Sequence, residues 1–173
     1  MMQIGQKILD FELPNKKGKL RSTKEMYRSY ALAVIFYSSN CEVCQAYAKR
    51  IEQLAVKFEN DDAAIILVDV SKDSDFKIEK QFSDLMLLPN PNFIRVFDSN
   101  ASLVKQYGVK ALPEAFLFNR KRELVYRGAI DDNWKHPDFV TQVYLENAID
   151  YTLDGMSTDF SEVEPVGTPI DQI

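Results

Sequence analysis

Cys41-Glu42-Val43-Cys44 carries the reactive side chains of this sequence, and its two cysteines are the only ones in 173 residues. They stand three apart, directly after an apolar run (Ala31 to Tyr37) and at the start of a long amphipathic helix pattern. A helix N-terminus offers unpaired N–H groups and the positive end of the helix dipole, so it favours a thiolate there and lowers the cysteine pKa. Ser39 and Glu42 fit a capping box, Ser-x-x-Glu, with Ser39 at the N-cap and Cys41 in the first turn. Glu42 acts in the opposite sense, because its charge in that turn raises the thiol pKa, so the expected depression is moderate. Cys41 is expected to be the exposed, acidic thiol and Cys44 the shielded one. A structural reading stands beside this, since free cysteine is among the most buried residue types. Half a zinc site is a further reading, but the chain has no third cysteine and a single histidine, His136, so a closed tetrahedral site lacks ligands.

The elements that must hold this pair follow from periodicity. Leu9 to Leu13 and Lys19 to Ser22 flank Pro14-Asn15-Lys16-Lys17-Gly18, an N-terminal hairpin. Thr23 to Arg28 makes one or two helical turns. Ala31 to Tyr37 and Ala63 to Val70 are near-continuous apolar runs, as expected of strands buried on both faces of a parallel sheet. Between them Cys44, Ala48, Ile51, Leu54, Ala55 and Phe58 recur at helical spacing, which makes a right-handed βαβ unit. A second helical pattern covers Phe76 to Met86 and ends at Pro89-Asn90-Pro91. Phe93 to Phe97 is a short strand, and Ala101 to Tyr107 a short helix closed by Gly108. Ala115 to Asn119 and Glu123 to Arg127 form a hairpin around Arg120-Lys121-Arg122. Pro137 opens a last helix that runs to Gly155. The expectation is an α/β fold whose sheet has helices on both faces, in one domain over residues 1–155, with residues 156–173 as an irregular tail.

Composition narrows the partners. A charge of −5 with acids and bases interspersed leaves no electrostatic footprint for nucleic acid or an anionic membrane. The longest apolar run is the seven residues Ala31 to Tyr37, too short to cross a bilayer, and Met1 to Leu13 lacks a signal-peptide core. The chain as it stands reads as cytoplasmic, with an extracytoplasmic place open if a signal peptide was removed ahead of Met1-Met2. No cofactor is expected. The Asp131-Asp132-Asn133 run and Trp134 read as a packed turn or a partner site, and Lys16-Lys17 as a solvated turn.

Strand, Cys-x-x-Cys, helix, strand, helix, then Leu112-Pro113 before a hairpin and a closing helix resembles the thioredoxin-like fold, with its central mixed β-sheet. The segments IGQKILDFELPNKKGK, KQYGVKALPEAFLFNRKRELVYRGAIDDNW, VYLENAIDYTLDG and EPVG resemble the thioredoxin-like branch of the alkyl hydroperoxide reductase and thiol-specific antioxidant superfamily. The resemblance implies a cis peptide bond before Pro113 and a role for that turn in presenting the backbone of Leu112 to a substrate chain. It also marks departures. Where thioredoxin has an aromatic before the first cysteine and a buried acid six residues before it, this chain has Asn40 and Ile35. The resemblance places Glu114 near the two sulfurs, as the candidate proton acceptor. Peroxiredoxins require a proline seven residues and a hydroxyl three residues before the attacking cysteine; Ser38 fits the second position, but Val34 occupies the first. Relatives often carry further cysteines at the positions of Ala111 and Thr168, so Cys44 is here the only resolving thiol in the chain.

The implied catalytic set is Cys41, Cys44, Pro113 and Glu114. The implied activity is thiol–disulfide exchange with a protein or small-molecule disulfide and an unidentified thiol electron donor, without metal. Two alternatives stand beside it. One is a thiol peroxidase in which Cys41 is oxidised and Cys44 resolves it. The other is a redox-sensing or partner-binding module that uses the dithiol as a switch.

Overall fold

A computed structural model describes residues 1–72 and 90–173. The helix expected over Phe76 to Met86 lies outside the described residues. Strands β1 (Glu12–Pro14) and β2 (Leu20–Ser22) form the expected N-terminal hairpin, and the Asn15 carboxamide closes it by accepting from the N–H groups of Lys17 and Lys19. A 3₁₀ turn at Thr23–Met26 leads to β3 (Ala31–Tyr37), every residue of which is buried. Helix α1 (Glu42–Lys57) follows, then β4 (Ala63–Asp69), β5 (Phe93–Phe97) and helix α2 (Ser102–Tyr107). The short strand β6 (Ala111–Leu112) is separated by Pro113 from β7 (Glu114–Phe118), and β8 (Leu124–Gly128) returns beside it.

These strands make a six-stranded mixed sheet in the order β5-β4-β3-β7-β8-β9, where β9 is Glu162–Val163. β3 pairs in parallel with β4 and antiparallel with β7, so it is the centre of the sheet. The two long apolar runs become neighbours because a strand without a polar face can be buried only if both its faces are covered. Tyr107 of α2 packs edge-on against Phe116 and Phe118 and tilted against Phe36. α1 buries Cys44, Tyr47, Ala48, Ile51, Leu54 and Ala55.

Three local expectations are corrected. Ser39 does not cap α1; Cys41 is the N-cap residue, and the capping box belongs to Ser22 and Glu25 at the preceding 3₁₀ turn. The Ser39 N–H and hydroxyl are both drawn to the hydroxyl of Ser71, at 2.9 and 2.8 Å, beyond the end of β4. Pro137 opens a 3₁₀ turn, Pro137–Phe139, and not the last helix. The Asp132 carboxylate accepts from the N–H and hydroxyl of Thr141 and holds that stretch extended, so helix α3 starts only at Tyr144 and runs to Leu153. The tail after Gly155, expected to be irregular, carries β9 and a further strand, β10 (Thr168–Pro169), which pairs antiparallel with β6.

Candidate active site

Cys41 ends the loop that leaves β3 and caps the first turn of α1 with its own side chain. Its sulfur accepts the N–H of Cys44 at 3.2 Å. That bond requires an extended backbone at Cys41 (φ −98°, ψ 121°) and aims the sulfur at the open end of the helix, where the dipole favours negative charge. Cys44 lies one turn further in and is fully buried; Cys41, expected to be exposed, is buried as well, with 4% of its surface accessible, because Leu112 and Thr168 approach its sulfur. Both thiols are free.

The two thiols are pushed apart in acidity. Cys41 is lowered to about 6, chiefly by the hydrogen bond from the Cys44 thiol and further by the hydroxyl of Thr168 and the backbone N–H of Cys44, against burial, which raises it. Cys44 is pushed strongly upward, first by burial and then by its bond to Cys41. The nucleophile is therefore charged near neutrality while its partner keeps its proton.

The Leu112-Pro113 peptide bond is cis, as the sequence resemblance implied. The Leu112 carbonyl oxygen lies 3.5 Å from the Cys41 sulfur, and the Thr168 hydroxyl 3.2 Å from it. β6, the helix start and the tail thus meet at one atom.

Glu114 does not sit with the sulfurs. It pairs with Phe36, one position away from Tyr37, and side chains on a strand alternate between faces, so Glu114 lies on the Phe36 face. Tyr37 points to the other face, toward the cysteines; its pKa is raised chiefly by burial, with a further push from the cysteine side of the sheet. The Glu114 carboxylate is occupied: Oε1 accepts from Arg127 at 2.7 and 3.1 Å, and Oε2 accepts the N–H of Lys110 at 2.7 Å. Glu114 ties β7 to β8 and to the chain entering β6.

The acid on the cysteine face is Asp69, at the end of β4 and in register with Tyr37. It is fully buried; burial is the main cause of the raised pKa values of Cys44 and Tyr37, and the Asp69 charge adds a smaller push to each. Oδ1 accepts from the N–H and the hydroxyl of Ser71 at 2.9 and 2.5 Å, while Oδ2 has no hydrogen-bond partner among the described residues. Burial raises the Asp69 pKa, against the bonds from Ser71 and the charge of Arg95. A lone acid at the end of an apolar strand carries no motif, and its nearness to Cys44 depends on the β3–β4 register.

The model of the AhpC/TSA family matches residues 4–127, well over half of the chain. The chain belongs to that family. Among curated proteins none matches this sequence. Among solved structures, a hypothetical protein from Sinorhizobium meliloti 1021 is 26% identical, with a TM-score of 0.83 over 98% of this chain and 94% of the other. An uncharacterized conserved protein from Geobacillus kaustophilus is 19% identical, with a TM-score of 0.82 over 98% and 92%. The thioredoxin domain of a thiol-disulfide oxidoreductase from Bacteroides vulgatus is 14% identical, with a TM-score of 0.61 over 73% and 89%. The fold is thioredoxin-like, and the family is one of redoxins with the Cys-x-x-Cys pair in place.

In this AhpC/TSA member the peroxiredoxin positions are built otherwise. Val34 lies in the buried middle of β3, paired with Ile66 and Phe116, and not in a loop. The Ser38 hydroxyl meets Ser71 at 3.3 Å and accepts the N–H of Asn40 at 3.3 Å, so it is turned to the serine cluster.

The acidic run near Trp134 is a clamp on α1. Asp131 accepts from the Tyr47 hydroxyl and from Arg50, each at 2.7 Å, and Arg50 also donates to the carbonyls of Asn133 and Trp134. Helix α1 is thereby fixed one turn beyond Cys44. His136 stands outside this clamp, exposed at the start of the 3₁₀ turn and stacked edge-on with Phe139. Among the described residues no group of acids, histidines and cysteines gathers as a metal site, and no helix is long and apolar enough to cross a membrane.

Proposed function

We propose that the protein is a thiol–disulfide oxidoreductase in which Cys41 attacks and Cys44 resolves. The supporting observation is the split between the two thiols: one sulfur at the helix cap, lowered to about 6, and a second buried one turn behind it. The Cys41 thiolate attacks one sulfur of a substrate disulfide, forming a mixed disulfide and expelling the other sulfur as a thiolate. Cys44 then gives up its proton and attacks the Cys41 sulfur, releasing the second substrate thiolate and closing Cys41–Cys44. Two electrons from an external dithiol reopen that bond.

The difficult step is deprotonation of Cys44, since burial strongly favours the neutral thiol. We assign Asp69 as the acceptor of that proton. Its Oδ2 is unpartnered among the described residues, and a carboxylate pKa raised by burial is better matched to accepting a proton near neutrality than an ordinary one. Loss of the Cys41 charge in the mixed disulfide makes the proton on Cys44 easier to remove, because after burial the bond to Cys41 and its charge are what raise Cys44.

Peroxide reduction asks for donors that stabilise the leaving oxygen as the O–O bond breaks. With Val34 inside a strand and Ser38 turned to Ser71, that arrangement is unsupported, whereas disulfide exchange asks only for a thiolate and a second thiol. The test is to mix fully reduced protein with a small disulfide such as 2-hydroxyethyl disulfide, and separately with hydrogen peroxide. The proposal expects the Cys41–Cys44 disulfide to form faster with the disulfide; faster closure with peroxide at equal concentration would overturn it.

A further inference from the structure

We infer that the last ten residues form a built-in strap that occupies the place of a substrate backbone and restricts the wild type to low-molecular-weight disulfides. This rests on the exchange chemistry proposed above and adds a substrate class to it.

An extended chain is recognised at a sheet edge by backbone hydrogen bonds, and its side chains then enter the site. In this protein β6 is the strand that runs into the cis proline beside Cys41, and its edge is taken by β10. Thr168 pairs with Leu112 and Pro169 with Ala111, and the Ile170 N–H donates to the Lys110 carbonyl at 3.1 Å. The Thr168 side chain reaches the Cys41 sulfur at 3.2 Å, where the reacting sulfur of a bound chain would have to come. Gly167 makes the approach possible, since a Cβ there would lie 1.9 Å from the Leu112 carbonyl oxygen. Backbone pairing and sulfur contact are thus both satisfied from within.

The strap is lightly held. β9 anchors the tail to β8, through Arg127 N–H to Ser161 O and Ala129 N–H to Val163 O. Beyond Val163 the contacts among the described residues are one surface ion pair, Lys110 to Glu164, the two-residue β10 pairing extended by the Ile170 N–H, the Thr168 contact with Cys41, the buried ring of Pro165, and Ile170 at the margin of the core. Such a segment opens at a small fraction of the global unfolding free energy, with β9 keeping it tethered. A protein disulfide must displace it to gain the β6 edge, and its apparent affinity falls with the open fraction. A small disulfide has no backbone to pair: it needs the Thr168 side chain to turn away from the Cys41 sulfur, but leaves the β10–β6 pairing in place.

The experiment compares reduction of insulin with reduction of 2-hydroxyethyl disulfide by the wild-type chain and by two variants of it. Gly167→Val places side-chain atoms against the Leu112 carbonyl, and Ile170→Pro removes the N–H bonded to Lys110. Thermal melts establish that each folds, and either folded variant suffices. The expected result is slow insulin reduction by the wild type and a rise of about tenfold or more in the ratio of insulin to small-disulfide rates in the variants. An unchanged ratio, or equal acceleration of both substrates, overturns the strap. Failure of all three proteins to reduce either disulfide overturns the exchange chemistry itself.

Discussion

The hydroxyl of Thr168 stands 3.2 Å from the sulfur of Cys41, although 127 residues separate the two in sequence. The bond lowers the Cys41 pKa, after the larger effect of the Cys44 thiol. Thr168→Val removes the donor while keeping the shape, so the Cys41 pKa should rise above that of the wild type. Ultraviolet absorbance of the thiolate as a function of pH measures this.

In the reduced wild type the Cys41 thiolate should titrate with a midpoint of about 6. An unfolded cysteine has a pKa of about 8.5, so the folded value is depressed and the unfolded chain binds the proton more tightly. The stabilisation from Cys41 is therefore fully present above about pH 8.5 and is lost as the pH falls through about 6. Denaturant melts of the reduced wild type and Cys41→Ser should show the wild type gaining stability relative to the variant across that window.

A thiolate that stabilises the reduced form raises the reduction potential. A pKa of about 6 lies between about 7 for thioredoxin and about 3.5 for DsbA, so the potential should fall between about −270 and about −120 mV. Equilibration with glutathione buffers gives the value.

Asp69→Asn should separate stability from activity. A buried acid whose pKa is raised withholds stability as the pH climbs from its unfolded value through its folded one, so replacing the carboxylate with an amide should raise Tm at neutral pH. The same change removes the proposed acceptor for the Cys44 proton and should slow resolution of the mixed disulfide by about 100-fold. The variant should also lose the inflection that Asp69 gives the pH profile of that step. A lower Tm with unchanged resolution would assign Asp69 to structure alone.

Arg50→Ala should destabilise the protein by about 3 kcal/mol, because it leaves the Asp131 carboxylate buried without its cation. Urea melts at pH 7 measure this, and small-disulfide turnover in the folded fraction should fall less than stability does.

The parts of this structure legible in the sequence are those with local signatures. β3, β4 and α1 announce themselves through long apolar runs and a helical stripe, and the cysteine spacing with Leu112-Pro113 places the site. Glu114 was misplaced by sequence reasoning because the sheet face it occupies depends on the antiparallel register of β7 on β3. Ser39 has the right type and spacing for a cap, but Ser71 competes for it from the far side of the crossover. The roles of Asp69 and Thr168 arise from contacts across strands, and a two-residue strand ending in proline has no period to read.

The central claim is that the Cys41 sulfur carries the exchange and Cys44 completes it. The direct measurement is mass spectrometry of Cys44→Ser after brief exposure to 2-hydroxyethyl disulfide. The account predicts one mercaptoethanol adduct per chain, on Cys41, that persists until a reducing thiol is added, whereas the wild type passes to the Cys41–Cys44 disulfide without retaining the adduct. No adduct on Cys41, together with rapid oxidation of that sulfur by hydrogen peroxide, would contradict it.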